Sequence, residues 1–478
     1  MDRPSLPHDI LCLILSLTDK ATLARVMRTC RELYRPAATY MLKGEVDLHT
    51  SQRHIDSLSS FLLADPLHRL PLLRHLEVAT SAKVPDWASS STSEAASSLD
   101  NLLHRLAAAG YLVDLSLSHP DHFIQLHPQL SSTIESFTSL QRLEIYDAGL
   151  LSMDVVANLQ SCLATLSLTL HLGYSIYAED PHEANPIPLL RRFQDTLRDL
   201  TLGQLSAHCC QLPDAPCYPN LTTLTLETME LPDIRPYARI FPGVTRLYIS
   251  ECEIDWTDVR DLASHADRPV RKRLELWPKL DKYDGHILDL YSLGIVCPIS
   301  SLLVGCGAIN PSRCWIFAAV LEDAQPKDLY LNAICGLSIL LDPEFLSCFS
   351  HRSLEHLCSL RLGIIPLRDD KDLDWDTVLD SMVSKIISQL PPLSSFELML
   401  DRLTNSDSVI TTGHIFDEDL QRPLTRLERQ VAAWDRAAFA ERACKASPHG
   451  TLKVVEIVTH WDNRSYYHYD RAQCRDVP

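Results

Sequence analysis

The stretches "LRDLTL" (197–202) and "LTTLTL" (221–226) repeat one pattern, with leucine at the first, fourth and sixth positions. The alternating L-x-L predicts a short β-strand with one buried face, because side chains on a strand alternate between its two faces. Thirteen copies occur when Ile, Val or Phe may stand in place of leucine and one further replaced position is allowed, and neighbouring copies mostly begin 23 to 39 residues apart. Recurrence at this period predicts a repeat array.

The other copies run from near the N-terminus almost to the C-terminus. They are residues 72–78, 112–117, 140–145, 163–168, 244–249, 271–276, 299–304, 326–331, 357–362, 393–398 and 452–457. Stretches with helical periodicity lie between many of them, at 98–110, 154–164, 257–267 and 375–390. One strand and one helix per unit predict an α/β solenoid with inner parallel strands and outer helices.

This combination resembles the leucine-rich-repeat proteins. That family usually places Asn or Cys three residues after the last leucine of the pattern, and here Cys252 fits whereas most copies do not. The resemblance therefore implies an irregular leucine-rich-repeat solenoid. We predict that it spans residues 71–478, with loop insertions at 88–98, 178–188 and 404–423, and that 43–70 form a helical linker or cap.

The N-terminal stretch "LPHDILCLILSL" (6–17) has a different character. Ile10, Leu13, Ile14 and Leu17 recur at helical spacing, and Asp9 places negative charge at the helix start. A secretory signal is disfavoured, because the flank is not basic and no small-residue cleavage site follows. Further apolar residues at helical spacing continue to Tyr34, so residues 1–42 are predicted to form a helical module that must pack against a partner or the rest of the chain.

Residues 6–37 resemble an F-box. The matching positions are Leu6, Pro7, Asp9, Ile10, Leu11, Ile14, Leu15, Leu23, Val26, Cys30 and Arg31. Leu33 stands where that family often carries Trp, which is a departure from the pattern. The alternative is an ordinary helical cap on the repeat array.

The resemblance implies docking on the Skp-type adaptor, and through it on the cullin, of a cullin-RING ubiquitin ligase. The implied adaptor-binding residues are Leu6, Pro7, Ile10, Leu11, Ile14, Leu15, Leu23, Val26 and Cys30. The whole chain would then be a non-catalytic substrate-recognition subunit of an SCF-type ligase. The alternative function is a leucine-rich-repeat interaction scaffold with no part in ubiquitination.

Composition narrows the choice of partners. The net charge is −18, and binding to nucleic acid or to an acidic membrane surface needs clustered Lys and Arg. No stretch reaches the roughly 18 apolar residues of a spanning helix. The 15 cysteines lack the paired spacing of zinc sites, which predicts no metal or cofactor and favours free thiols in the cytoplasm or nucleus.

Catalytic motifs are not evident. The sequence lacks a phosphate-binding loop, a G-x-S-x-G elbow and an H-E-x-x-H pair. A histidine-rich stretch, "HPDHFIQLH" (119–127), could bind a metal, but we interpret it as a loop without fixed ligand geometry. The chain is therefore expected not to be an enzyme.

Target binding is expected on the inner sheet, where residues flanking the fourth and sixth positions point away from the core. Arginine and aromatic residues dominate binding hot spots. The candidate target-binding residues chosen on this basis are Arg142, Tyr146, Arg246, Tyr248, Arg273, Trp277 and Tyr330.

Overall fold

The computed structural model consists of two compact units, Met1–Glu230 and Leu231–Pro478. Within them the structure describes residues 7–29, 31–79, 90–171, 186–204, 216–228, 233–250, 276–305, 314–350, 352–401, 425–448, 451–460 and 468–473.

The first unit contains a sheet of seven described strands, each parallel to the next. They are β1 (Val46–His49), β2 (His75–Ala79), β3 (Asp114–Ser118), β4 (Arg142–Ala148), β5 (Thr165–Leu170), β6 (Asp199–Gly203) and β7 (Thr223–Glu227). The register aligns the fourth positions of the pattern, so that Leu143 lies beside Leu115 on one side and Leu166 on the other.

Nine α-helices are described in the first unit. They are α1 (His8–Ser16), α2 (Lys20–Thr29), α3 (Tyr34–Lys43), α4 (Gln52–Leu63), α5 (Pro66–Arg69), α6 (Ser90–Ala109), α7 (Pro120–Leu126), α8 (Gln129–Glu135) and α9 (Leu150–Asn158). Short 3-10 helices cover Leu70–Leu72 and Ile187–Phe193.

The second unit repeats the arrangement. Its strands are β8 (Arg246–Ser250), β9 (Leu280–His286), β10 (Ile299–Gly305), β11 (Asp328–Cys335), β12 (Ser359–Ile365), β13 (Ser395–Asp401), β14 (Val454–His460) and β15 (His468–Gln473). Neighbours from β8 to β14 are parallel, and β15 pairs with β14 in the antiparallel sense.

The α-helices described in the second unit are α10 (Arg235–Ile240), α11 (Ile287–Ser292), α12 (Cys314–Ala324), α13 (Pro343–Ser347), α14 (Trp375–Ser381), α15 (Arg426–Ala433) and α16 (Arg436–Ala446). A π-helical turn, Met382–Ile387, continues α14. Asp374 caps the start of α14 by accepting a hydrogen bond of 3.1 Å from the Thr377 amide. Further 3-10 helices cover Leu337–Leu341, Cys348–Ser350, Arg352–Leu354 and Arg368–Asp372.

The leucines of the pattern form the core of both units. Leu143, Leu166, Leu224 and Leu247 are at most 1% exposed, and burying each such side chain contributes roughly 2 kcal/mol. Twelve of the thirteen copies coincide with described strands. These strands confirm the expected α/β architecture, in which an N-terminal helical region is followed by parallel strands with helices between them. Membership of the leucine-rich-repeat class stays a prediction.

The predicted helical linker at 43–70 contains a strand, which is a correction. β1 starts the sheet, and its Val46 and Leu48 lie beside Leu76 and Val78. The leucine pattern did not predict this strand, because Lys43 stands at the first position and Val46 at the fourth.

The predicted loop at 88–98 is also wrong over most of its length, since α6 begins at Ser90. Ala95 and Ala96 are at most 2% exposed and extend the apolar face of Leu99 by one turn. Small side chains there indicate close packing and not a solvated loop. The loop at 404–423, nearly all of that at 178–188, and the helix expected at 257–267 lie outside the described residues.

A third correction concerns the copy at 271–276. β8 pairs directly with β9, so residues 280–285 take the place in the sheet that was expected for that copy. Tyr283 lies beside Leu247 and Leu302, at the fourth position of the pattern. Gly285 takes the sixth position, because a Cβ there would lie 2.8 Å from the Tyr283 hydroxyl. The tyrosine therefore fills the space of two leucines.

Two expectations about the environment can be compared with the described residues. Among them, no helix is both long and apolar enough to cross a bilayer. Seven of their cysteines carry free thiols, namely Cys12, Cys162, Cys217, Cys297, Cys314, Cys348 and Cys358. Cys444 is disulfide-bonded, which departs from the expectation of free thiols throughout.

Candidate docking surfaces

Helix α1 and the residue that follows it, Leu17, expose a continuous apolar face. Ile10, Leu13, Ile14 and Leu17 are 40%, 58%, 49% and 82% exposed. Their spacing of i, i+3, i+4 and i+7 places them on one side of the helix. We call these four residues the α1 stripe. Large apolar side chains grouped in this way are typical of a surface that another molecule covers.

The opposite side of α1 packs inside the helical module. Leu15 and Leu23 are 3% and 2% exposed and share a core with Ala37. Val26 and Met27 lie against that core, as does Leu33, the residue at the position where the F-box family often carries Trp. The interpretation that Leu15 and Leu23 contact the adaptor directly is therefore wrong, because the module's own core already covers them.

The other predicted adaptor-binding positions have mixed surroundings. Pro7 is exposed, and Leu11 and Val26 are half-buried. Leu6 and Cys30 lie outside the described residues. Two exposed residues, Leu13 and Leu17, were missing from the predicted site although the helical spacing of the sequence includes them.

A buried arginine connects the helical module to the first repeat. Arg69 is 1% exposed, and its guanidinium carbon lies 4.8 Å from the Tyr34 ring centre and 4.1 Å from that of Phe61. The guanidinium donates hydrogen bonds to the Tyr34 hydroxyl and to the Phe61 carbonyl oxygen. Tyr34 belongs to α3 and Phe61 to α4, so one side chain holds both helices in place.

We expect Arg69→Ala to lower the free energy of unfolding by about 3 kcal/mol, because it removes both cation–π contacts and leaves two partly buried acceptors without a donor. Arg35→Ala is the matched control, since the Arg35 side chain is 72% exposed and its ion pair with Asp65 spans 3.8 Å. Urea denaturation measures both variants. Equal, small losses for the two would contradict the anchoring role of Arg69.

In the first unit, the face of the sheet turned away from the core carries two predicted target-binding residues. Arg142 and Tyr146 are both exposed on β4. The Arg142 Nε lies 3.5 Å from an Asp114 carboxylate oxygen, and Nη1 lies 3.9 Å from Glu144. The Tyr146 hydroxyl donates a hydrogen bond of 3.0 Å to Glu144. We call this side of each sheet its solvent face.

The solvent face of the second unit holds Arg246, Tyr248 and Tyr330. The Lys282 ammonium lies 4.8 Å from the centre of the Tyr248 ring, and the Arg361 guanidinium lies 4.9 Å from that of Tyr330. Arg361 also forms an ion pair of 2.6 Å with Glu397 on the next strand. Lys282, Arg361 and Glu397 were absent from the predicted site, and only the strand register brings them beside the tyrosines.

Trp277 does not belong to this surface. It is 1% exposed, and its indole Nε1 donates a hydrogen bond of 3.0 Å to the Phe241 carbonyl oxygen. The prediction of Trp277 as a target-binding residue is therefore wrong, and the cause is the shifted copy described above. Arg273 lies outside the described residues.

The histidine-rich stretch at 119–127 is largely helical, contrary to the expected loop, since α7 covers Pro120–Leu126. Asp121 accepts hydrogen bonds from the amides of Gly149, Leu151 and Ser152 and thereby caps α9. Its carboxylate thus has a structural role.

Among the described residues, one set of three side chains could offer ligands to a metal ion, because their carboxylate oxygens lie within 4.8 Å of one another. It consists of Glu45, Asp47 and Glu77.

Comparison with known proteins adds one finding for the N-terminal module. No curated protein sequence matches the chain. The family model described as F-box-like matches residues 4–42, the segment that contains α1, α2 and most of α3. Residues 4–42 are therefore an F-box-like domain, and F-box domains generally bind the Skp-type adaptors of ubiquitin ligases.

Proposed function

We propose that this protein is a non-catalytic substrate-recognition subunit of an SCF-type cullin-RING ubiquitin ligase. The α1 stripe docks on the Skp-type adaptor, and the adaptor connects the chain to the cullin. The repeats, which we assign to the leucine-rich class, hold a protein target on the solvent faces of their sheets.

The observation that carries this proposal is the α1 stripe inside the F-box-like domain. Leu13 and Leu17 are more than half exposed, and Ile10 and Ile14 nearly half. Covering four such side chains with a partner contributes several kcal/mol at about 25 cal/mol per Å² of apolar area. That is the magnitude expected of the centre of a stable protein–protein interface.

The two sheets support the proposal that the repeats bind a protein target. Their solvent faces present arginine and tyrosine side chains, such as Arg142, Tyr146 and Tyr248, in place of a second apolar core. These residue types are enriched where proteins bind one another. Parallel strands also hold successive side chains about 4.8 Å apart, so several repeats can contact one target.

The proposed mechanism needs no reaction at this chain. Holding the target beside the ubiquitin-loaded enzyme turns a collision between two molecules into a reaction within one complex. The chain acts through affinity and position, and its site of action is the cytoplasm, the nucleus or both.

Proximity labelling in cells tests the proposal, with the intact chain compared against Ile14→Asp. Both should label the same targets, because the repeats are unchanged, but only the intact chain should label the adaptor and cullin and raise ubiquitination of those targets. Targets ubiquitinated equally with both chains would overturn the ligase role. Adaptor labelling without any change in target ubiquitination would favour the scaffold function.

A further inference from the structure

The solvent face of the first unit carries an excess of carboxylates. On its described strands the acidic residues outnumber the single arginine, Arg142. At the outward positions of the strand pattern they are Asp47, Glu77, Asp114, Glu144, Asp199 and Glu227. β4 also carries Asp147, which lies beside His119 and His171. Most other residues on this face have small side chains, for example Ser116, Ser167 and Thr201. The longer acidic side chains therefore project beyond their neighbours.

Three of these carboxylates lie in one row across the sheet. The register places Asp47 beside Glu77, and Ser116 between Glu77 and Glu144. Carboxylate oxygens of Asp47, Glu77 and the preceding Glu45 lie within 4.8 Å of one another. Within the described residues, none of those three forms an ion pair with a lysine or arginine. Like charges at such distances repel, and a cation from outside would relieve that repulsion.

The pKa shifts of Glu77 and Tyr146 agree with the close spacing of the carboxylates. Burial raises the pKa of Glu77 above its usual range, and the neighbouring charges of Glu45, Asp47 and Glu144 raise it further. Burial, followed by the charge of Glu144 and the hydrogen bond to it, raises the pKa of Tyr146 to about 12. The neighbouring carboxylates therefore contribute to both shifts, after burial.

Tyr146 adds an aromatic ring to the acidic row. It is 43% exposed and hydrogen-bonded to Glu144. A lysine or arginine side chain can lie over such a ring while its charge meets a carboxylate. Arg142 shows that the face accepts a guanidinium, since it lies between Asp114 and Glu144 at 3.5 and 3.9 Å.

The described strands of the second unit lack this imbalance on their solvent face. Lys282 lies 3.4 Å from Asp284, and Arg361 lies 2.6 Å from Glu397, so acidic side chains there have cations on the same sheet. The acidic surplus is thus a property of the first unit and not of the repeat itself.

We infer that the solvent face of β1–β4, centred on Glu77, Glu144 and Tyr146, binds an extended Lys- and Arg-rich segment of the target protein. This inference rests on the proposed function, which gives target binding to the repeats. Four strands spaced about 4.8 Å apart span roughly 14 Å, which an extended segment of about four or five residues covers.

The test uses the full-length chain and a fluorescein-labelled peptide of alternating lysine and serine, with an alternating glutamate–serine peptide as the negative probe. Fluorescence anisotropy should show binding of the lysine peptide alone, and its affinity should fall as salt is raised. The Glu77→Gln, Glu144→Gln double variant should lower that affinity about tenfold, and Tyr146→Ala should lower it more than Tyr146→Phe.

Glu355→Gln, Glu441→Gln is the matched control, because it removes the same charge from two exposed positions of the second unit. An equal loss in this control would mean attraction to net charge alone and would overturn the inference. Competition by millimolar calcium that abolishes peptide binding, with calcium binding lost in the Glu77 variant, would identify a metal site instead and would also overturn it.

Adaptor binding is measured on the same proteins and should be unchanged in every one. Peptide binding that survives while the adaptor fails to bind would sink the proposed ligase role but leave this surface intact. Adaptor binding without any peptide binding would overturn the inference about this surface but leave the proposed ligase role intact.

Discussion

Ile14→Asp is expected to abolish adaptor binding by the intact chain, with a loss of affinity of at least about a hundredfold. Placing a carboxylate in an apolar contact costs several kcal/mol, and each 1.4 kcal/mol changes the dissociation constant about tenfold. Ile14 is 49% exposed in the free chain, so the substitution should leave the melting temperature nearly unchanged. Isothermal titration calorimetry with the purified adaptor measures the effect.

Leu67→Asp is the matched control for this experiment. Leu67 is 92% exposed on α5, outside the α1 stripe, and receives the same charge. We expect it to bind the adaptor as the parent does. A purified, folded Ile14→Asp protein with parental affinity, or an equal loss in both variants, would contradict docking through the α1 stripe.

Leu247→Asp is expected to unfold the second unit, with a loss of about 4 kcal/mol or more in the free energy of unfolding. Leu247 is fully buried on β8 beside Tyr283, so its replacement creates a cavity and places a charge within it. Circular dichroism during heating should show a much lower melting temperature, with aggregation where the unit fails to fold.

Arg246→Asp controls for the charge on the same strand. Arg246 precedes Leu247 and is exposed on the solvent face, so its replacement should change stability by less than about 1 kcal/mol. If Leu247→Asp melted cooperatively at the temperature of Arg246→Asp, the strand register would be wrong.

The sequence predicted most strands because each copy repeats the same physical requirement. Leucines at the fourth and sixth positions must both enter the core, and alternation forces the residue between them outward. The prediction failed where other residues meet that requirement. Tyr283 and Gly285 share the space of two leucines in β9, and Lys43 replaces the first leucine before β1.

The candidate docking surfaces were less predictable, because they depend on contacts between distant parts of the chain. Helical spacing identified Ile10 and Ile14, but it did not say which sides of α1 and α2 the module would bury. Leu15 on α1 and Leu23 on α2 were therefore assigned to the adaptor although the module's own core covers them. The cation over Tyr330 comes from Arg361, and no local pattern in the sequence predicts that neighbour.

The most direct test of the central claim is amide hydrogen exchange of the full-length chain, free and bound to the purified Skp-type adaptor. A docking partner slows exchange where it covers or stabilises the backbone. We predict slower exchange in α1, His8–Ser16, with the strands of both units unchanged. Unchanged exchange in α1, or protection located in the strands instead, would contradict the claim that this helix is the adaptor-binding surface.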